Sequence, residues 1–141
     1  MNPDDLTSLI DTMGKQRLEK FLELFSGVEL TISYPPQSGL LMMTVKDSFD
    51  TDFHLGEVLV AEARVLFRGR EGYGMASGDE PRRALARAAA DAVLGFPEPT
   101  EIGENLLIFL KQEKVLQKAR HTKDASLVAS TKVNFDLMPG A

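Results

Sequence analysis

Apolar residues in the N-terminal segment recur at intervals of three and four: Leu6, Leu9, Ile10, Met13, Leu18, Phe21, Leu22 and Phe25. That is the period of a helix with one buried stripe. Gly14 interrupts it, so the spacing predicts two short helices within residues 1–26, hinged at the glycine. The period then changes to two. Val28 to Ser33 alternates apolar with polar, and Pro35-Pro36 stops the run. Gly39-Leu40-Leu41-Met42-Met43-Thr44-Val45 restarts it as a strand apolar on both faces, the pattern of a strand in the middle of a sheet. Val58 to Phe67 places Leu59, Ala61, Ala63, Val65 and Phe67 on one face and Val58, Val60, Glu62, Arg64 and Leu66 on the other. Arg68-Gly69-Arg70-Glu71-Gly72 reads as a hairpin turn into Tyr73-Gly74-Met75-Ala76.

After Gly78, Asp79 as a cap and Pro81 in the first turn predict a helix to about Leu94, ended by Gly95. Leu85, Ala88, Ala89, Ala92 and Val93 form its buried stripe, and so many alanines imply close approach to the sheet. Arg83, Arg87 and Asp91 form a solvated stripe with an i,i+4 pair. A longer helix from about Pro99 to Arg120 carries Ile102, Leu106, Phe109, Leu110, Leu116 and Ala119 on one side. Its run Leu106-Leu107-Ile108-Phe109-Leu110 is apolar all round and must be covered on several sides, which makes Leu107 and Ile108 candidates for contact with a partner. In the last residues Val133, Phe135 and Leu137 alternate with Lys132, Asn134 and Asp136, a strand-like tail suited to extending its own sheet or a neighbour's. The fold class is therefore α+β: a small antiparallel sheet of three to five strands (28–78) packed against helices (1–26, 79–95), with a C-terminal helix and short tail (99–141). With 141 residues, 43% of them apolar, this is read as one domain with a real core.

Charge narrows the partners. The balance is 16 basic against 21 acidic side chains, net −5, with nine of the acids in residues 1–54. Neutralising a polyanion needs a concentrated Lys/Arg face, so nucleic acid is not expected as a partner. Cys 0 removes thiolate chemistry, disulfides and cysteine-ligated metals. No run reaches the ~18–20 apolar residues of a membrane span, and Asp4, Asp5 and Asp11 stand where a signal segment would be basic. The expectation is a cytoplasmic protein.

Candidate chemistry is sparse. His54 and Glu57 sit three residues apart at the start of a strand, where an acid/base pair can form; the plainer reading is a loop histidine beside a strand-edge carboxylate. His121 lies among Lys118, Arg120 and Lys123, where positive charge suits a helix C-terminus. Asp47, Asp50 and Asp52 share one loop and read better as turn formers than as a cation site. Gly72, Gly74 and Gly78 match no phosphate-binding spacing, and Asp79-Glu80 would repel a phosphate there. Arg82 and Arg83 in a first helical turn are candidates for an anion or nucleotide, against ordinary surface pairing. Glu62 and Arg64, two residues apart on the outer sheet face, are either a solvated pair or contact points under a partner.

The order of several segments is more informative than any one residue. Pro36-Gln37-Ser38-Gly39-Leu40-Leu41-Met42, Phe53-His54-Leu55-Gly56-Glu57-Val58-Leu59-Val60, Gly72-Tyr73-Gly74-Met75 with Gly78-Asp79 and an Ala-rich helix, and Val128 through Gly140 together resemble the G subunit of the bacterial carbon–phosphorus lyase system, the PhnG family. The resemblance runs from about Pro36 to the C-terminus. It implies a subunit that acts with the H, I and L subunits to displace adenine from MgATP by a phosphonate, giving an alkylphosphonate ribose triphosphate. It also implies membership of a G, H, I, J core whose J subunit carries an iron–sulfur cluster and uses S-adenosylmethionine. It implies an obligate partner more than a catalyst, because the nucleosidase chemistry is ascribed mainly to the I subunit, and it implies no cofactor on this chain. The chain departs from many family members at Asp47–Asp52, where they have a Gly-rich turn, and at its ending.

Overall fold

The computed structural model describes residues 2–136, with side chains through Leu127. Two helices open the chain, α1 (Pro3–Thr12) and α2 (Lys15–Glu23). The Asn2 side chain accepts the Asp4 amide at the head of α1, and Gly14, as N-cap of α2, makes the hinge expected from the hydrophobic period. Three strands follow in the order β1-β2-β3, all antiparallel: β1 (Leu30–Lys46), β2 (Asp52–Phe67) and β3 (Arg70–Ser77). Then come α3 (Pro81–Leu94) and α4 (Glu101–Asp136). The α+β class with a three-stranded sheet is as expected from the pattern.

Pro35-Pro36 do not end the first strand. The ladder runs on past them, with register shifts between Ile32 and Tyr34 and between Tyr34 and Gln37, so the prolines occupy a bulge. β1 is an edge strand, the position in a sheet where a residue lacking an N–H is tolerated. This also corrects the reading of Gly39–Val45 as central: it lies on that same edge strand. The turn from β2 to β3 has only two residues, Arg68 and Gly69, both at positive φ (49° and 84°), the geometry of a tight hairpin.

α3 covers one face of the sheet. Ala61, Ala63, Val65 and Phe67 of β2 point at it, and Gly72, Gly74 and Ala76 of β3 do the same. A Cβ built on Gly72 would strike the backbone of Ala88 and Ala92, and one on Gly74 the backbone of Ala84 and Ala88. Backbone lies on backbone here, which is why the strand carries Gly-x-Gly and the helix alanine. On its far side α3 meets α1, α2 and α4, so Ala84, Ala86, Ala88, Ala89, Ala90, Ala92 and Val93 are all buried. The predicted solvated stripe is therefore corrected. Arg87 donates to the Met75 carbonyl, and Asp91 accepts the Tyr73 amide at 3.0 Å. The two side chains do not pair with each other; they satisfy the free edge of β3. Arg70 reaches back to the Asp91 carbonyl at 2.5 Å and closes the C-terminus of α3.

Asp79 does not cap α3 either. Glu80 is the N-cap and makes no side-chain cap bond, while Asp79 accepts the Ser38 hydroxyl at 2.5 Å. In α4, Leu106, Phe109 and Leu110 are buried, with Phe109 tilted against Phe21 at 5.5 Å. Ile108 is 57% exposed, so the apolar run is covered on one side rather than all round. Glu113 is fully buried, bound by Arg17 at 2.8 Å and Gln117 at 3.0 Å, and the Arg17 guanidinium lies 4.2 Å from the Phe109 ring centre. α4 continues unbroken to Asp136. Val133 and Phe135 thus lie in a helix, which corrects the strand-like tail, and Leu137 falls outside the described residues. His121 is inside that helix rather than at its end.

Candidate interaction surface

β3 ends against Val60 of β2, so β1 and β2 go on alone beyond that point. Leu40 pairs with Leu59, Leu41 with Val58, Met42 with Glu57, Met43 with Gly56, and then, past a bulge at Leu55, Thr44 with His54 and Val45 with Phe53. At about 3.3 Å per residue this two-stranded arm stands roughly 25 Å out from the three-stranded sheet. Its root is fixed by the Gly78 amide donating to the Leu59 carbonyl at 2.7 Å and by the Ser38–Asp79 bond.

Strand alternation gives the arm two apolar faces. Leu40, Met42 and Leu59 share one, and Leu41, Met43 and Val58 the other. Leu40 and Met42 are 67% and 66% exposed, and Leu41, Met43, Val45, Phe53, Leu55 and Leu59 are exposed as well. The tip is an ordered turn. Asp47 accepts the Phe49 and Thr51 amides, both at 2.9 Å, and Asp50 adopts a φ of 60°. That turn presents Phe49 at 85% exposure.

The residues singled out in the sequence fall in several places. His54 and Glu57 both lie on the arm, exposed, with no hydrogen bond or ion pair between them. Glu62 and Arg64 lie on the sheet face away from α3. They meet through Tyr73, whose hydroxyl donates to Glu62 at 2.8 Å and whose ring lies 5.5 Å from the Arg64 guanidinium. Burial first, and the Glu62 carboxylate second, push the Tyr73 phenol above its ordinary pKa. Arg82 makes a two-pronged contact with Glu19, at 2.5 and 2.6 Å, which holds the Glu19 carboxyl below the ordinary carboxylate range. Arg83 donates to the Ile10 and Met13 carbonyls, both at 2.7 Å. In the cleft of about 310 Å³ that Arg83 and Arg87 line, Glu80 and Asp11 stand 3.6 and 3.4 Å from them. These guanidiniums bind the protein itself, and Arg82 and Arg83 point to different partners. Leu107 is half-buried beside the exposed Ile108.

The family model described as phosphonate metabolism protein PhnG matches residues 4–140. The chain belongs to the PhnG family. Its place is in phosphonate metabolism. Among curated proteins, no individual match is found. Two of the PhnG-like segments, Pro36–Met42 and Phe53–Val60, are the facing strands of the arm and its root; Gly72–Met75 is the stretch of β3 against α3; Gly78-Asp79 is the clamp at the arm's base.

The arm was not recognised from sequence. A strand apolar on both faces looks the same whether its own chain or another covers it. The available signal was length: apolar strand residues extend from Gly39 to Val45 and from Phe53 to Leu59, farther than β3, eight residues long, can pair.

Proposed function

We propose that this chain is an accessory, non-catalytic subunit of the carbon–phosphorus lyase core complex, in the cytoplasm. It works with the H, I and L subunits in the transferase step that forms an alkylphosphonate ribose triphosphate, such as α-D-ribose 1-methylphosphonate 5-triphosphate, from MgATP and a phosphonate, with adenine displaced. The iron–sulfur cluster and S-adenosylmethionine belong to another subunit, J, and MgATP is substrate of the whole complex. The observation that carries this reading is the bare apolar surface of the arm in a PhnG family member. Large apolar side chains left exposed on both faces of one ribbon mark an interaction surface. The scattered placement of His54, Glu57, Arg82 and Arg83 supports a structural rather than chemical contribution.

The test is reconstitution. Adenine release from MgATP and methylphosphonate is followed with H, I and L subunits, with and without this chain. The reading expects release only when the chain is present, none from the chain alone, and, at saturating subunit, an unchanged maximal rate for His54→Ala. Full activity without the chain, or turnover by it alone, would overturn the reading.

A further inference from the structure

Resting on the subunit reading above, we propose that the Gly39–Leu59 arm inserts into an apolar cleft of a different protein subunit, whose walls cover both faces of the arm and whose basic side chains receive its acidic tip. Area comes first. At roughly 100 Å² for each partly exposed large side chain, the nine apolar residues Leu40, Leu41, Met42, Met43, Val45, Phe49, Phe53, Leu55 and Leu59 present about 900 Å² over the two faces together. One partner's share of a standard interface is about 800 Å². The arm alone is enough for a stable interface.

The distribution of that surface decides its shape. Leu40, Met42 and Leu59 face one way and Leu41, Met43 and Val58 the other, so a flat surface would leave half of it wet. A cleft covers both. The outer edge of β1 has no neighbour in the sheet, whereas that of β3 is occupied by Arg87 and Asp91, so a cleft wall can also add hydrogen bonds along β1. Phe49 is the natural anchor, because the Asp47 turn already fixes its position before binding.

Charge argues against a second copy of this chain. The arm carries Asp47, Asp50, Asp52 and Glu57 against Lys46. Asp47 is bound by turn amides, Asp50 is 3.5 Å from Lys46, and Asp52 has no ion pair among the described residues. Two arms side by side and parallel bring these tips together. That arrangement opposes like charges, and a basic cleft mouth does not.

The experiment measures affinity of the full chain for a preformed assembly of H, I and J subunits, with circular dichroism melts checking that each variant stays folded. Phe49→Ser, the pair Leu40→Ser/Met42→Ser and the pair Leu41→Ser/Met43→Ser are each expected to weaken binding about tenfold or more with unchanged melting. Asp50→Asn/Asp52→Asn is expected to weaken it and to flatten its salt dependence. If one face's pair binds as wild type, the cleft is refuted; if every arm variant does, the arm is not the interface. Dimers of the isolated chain by light scattering that become monomers on Phe49→Ser would make a second copy the occupant and overturn the proposal. Failure of the wild-type chain to bind any of these subunits would instead sink the subunit reading itself.

Discussion

Gly74→Ala isolates the contact on which the layering depends. The added methyl would meet the Ala84 carbonyl and the Ala88 amide nitrogen, both backbone atoms of α3. No rotamer change relieves that clash; the helix must lift off β3, and α1, α2 and α4 stand behind it. Overpacking of this kind costs about 1–3 kcal/mol, and a rigid neighbour puts it at about 2–3 kcal/mol. A chain of 141 residues unfolds with an entropy of about 0.3 kcal/mol/K, so Tm should fall by roughly 7–10 °C. Gly39→Ala is the control: it lies in a strand at ordinary φ with nothing near its Cβ, and should leave Tm unchanged or slightly raised. Scanning calorimetry of both variants decides. A Gly74→Ala melt within about 2 °C of wild type would refute the close packing and reopen a ligand-binding role for the Gly-x-Gly stretch.

Other consequences follow from single contacts. Glu113→Ala strands Arg17 partly buried without its carboxylate and should cost about 3 kcal/mol in urea unfolding, while Arg17→Met/Glu113→Leu should recover most of it. In a Tyr34→Phe background the remaining phenol, Tyr73, should ionise above its ordinary 10.0 by ultraviolet absorbance, and Glu62→Gln should bring it down; stability from this group is present below that value and lost as pH rises through the raised one. The Glu19–Arg82 pair has the opposite sign. Its carboxyl pKa is lowered from 4.5, so the pair contributes above that pH, and the melting difference between wild type and Glu19→Gln should shrink as pH falls through the lowered value.

Much of the body was legible because its periods reflect burial within the chain. The hinge at Gly14 and the alanine-rich α3 follow from local rules, as does a hairpin turn after Phe67, although the turn is Arg68-Gly69 alone and Arg70 to Gly72 already belong to β3. The misreadings share a physical cause. Arg83, Arg87 and Asp91 look like a solvated stripe because sequence shows the charge and not the strand-edge amides and carbonyls that the side chains reach. The alternation at Val133 and Phe135 has period two, yet those residues continue a helix already carrying more than thirty others, and propagation is easier than a new strand. At the interface the difficulty is deeper. Leu106–Leu110 is too apolar for an ordinary surface helix, and the core takes Leu106, Phe109 and Leu110. The surface without shelter is instead the arm, where the pattern of Leu40 to Val45 reads as the centre of a sheet. Hydrophobic pattern reports that a residue is to be covered and is silent on which chain covers it.

Amide hydrogen exchange along the arm tests this account most directly, with the chain alone compared with the chain in an H, I, J assembly. The arm is a two-stranded ribbon outside the core, so in isolation Leu40–Leu59 should exchange quickly while β2 from Val60 onward and α3 stay protected. On assembly the arm should become as slow as the sheet. An arm that exchanges at the same rate in both states, with new protection appearing elsewhere, would contradict the account.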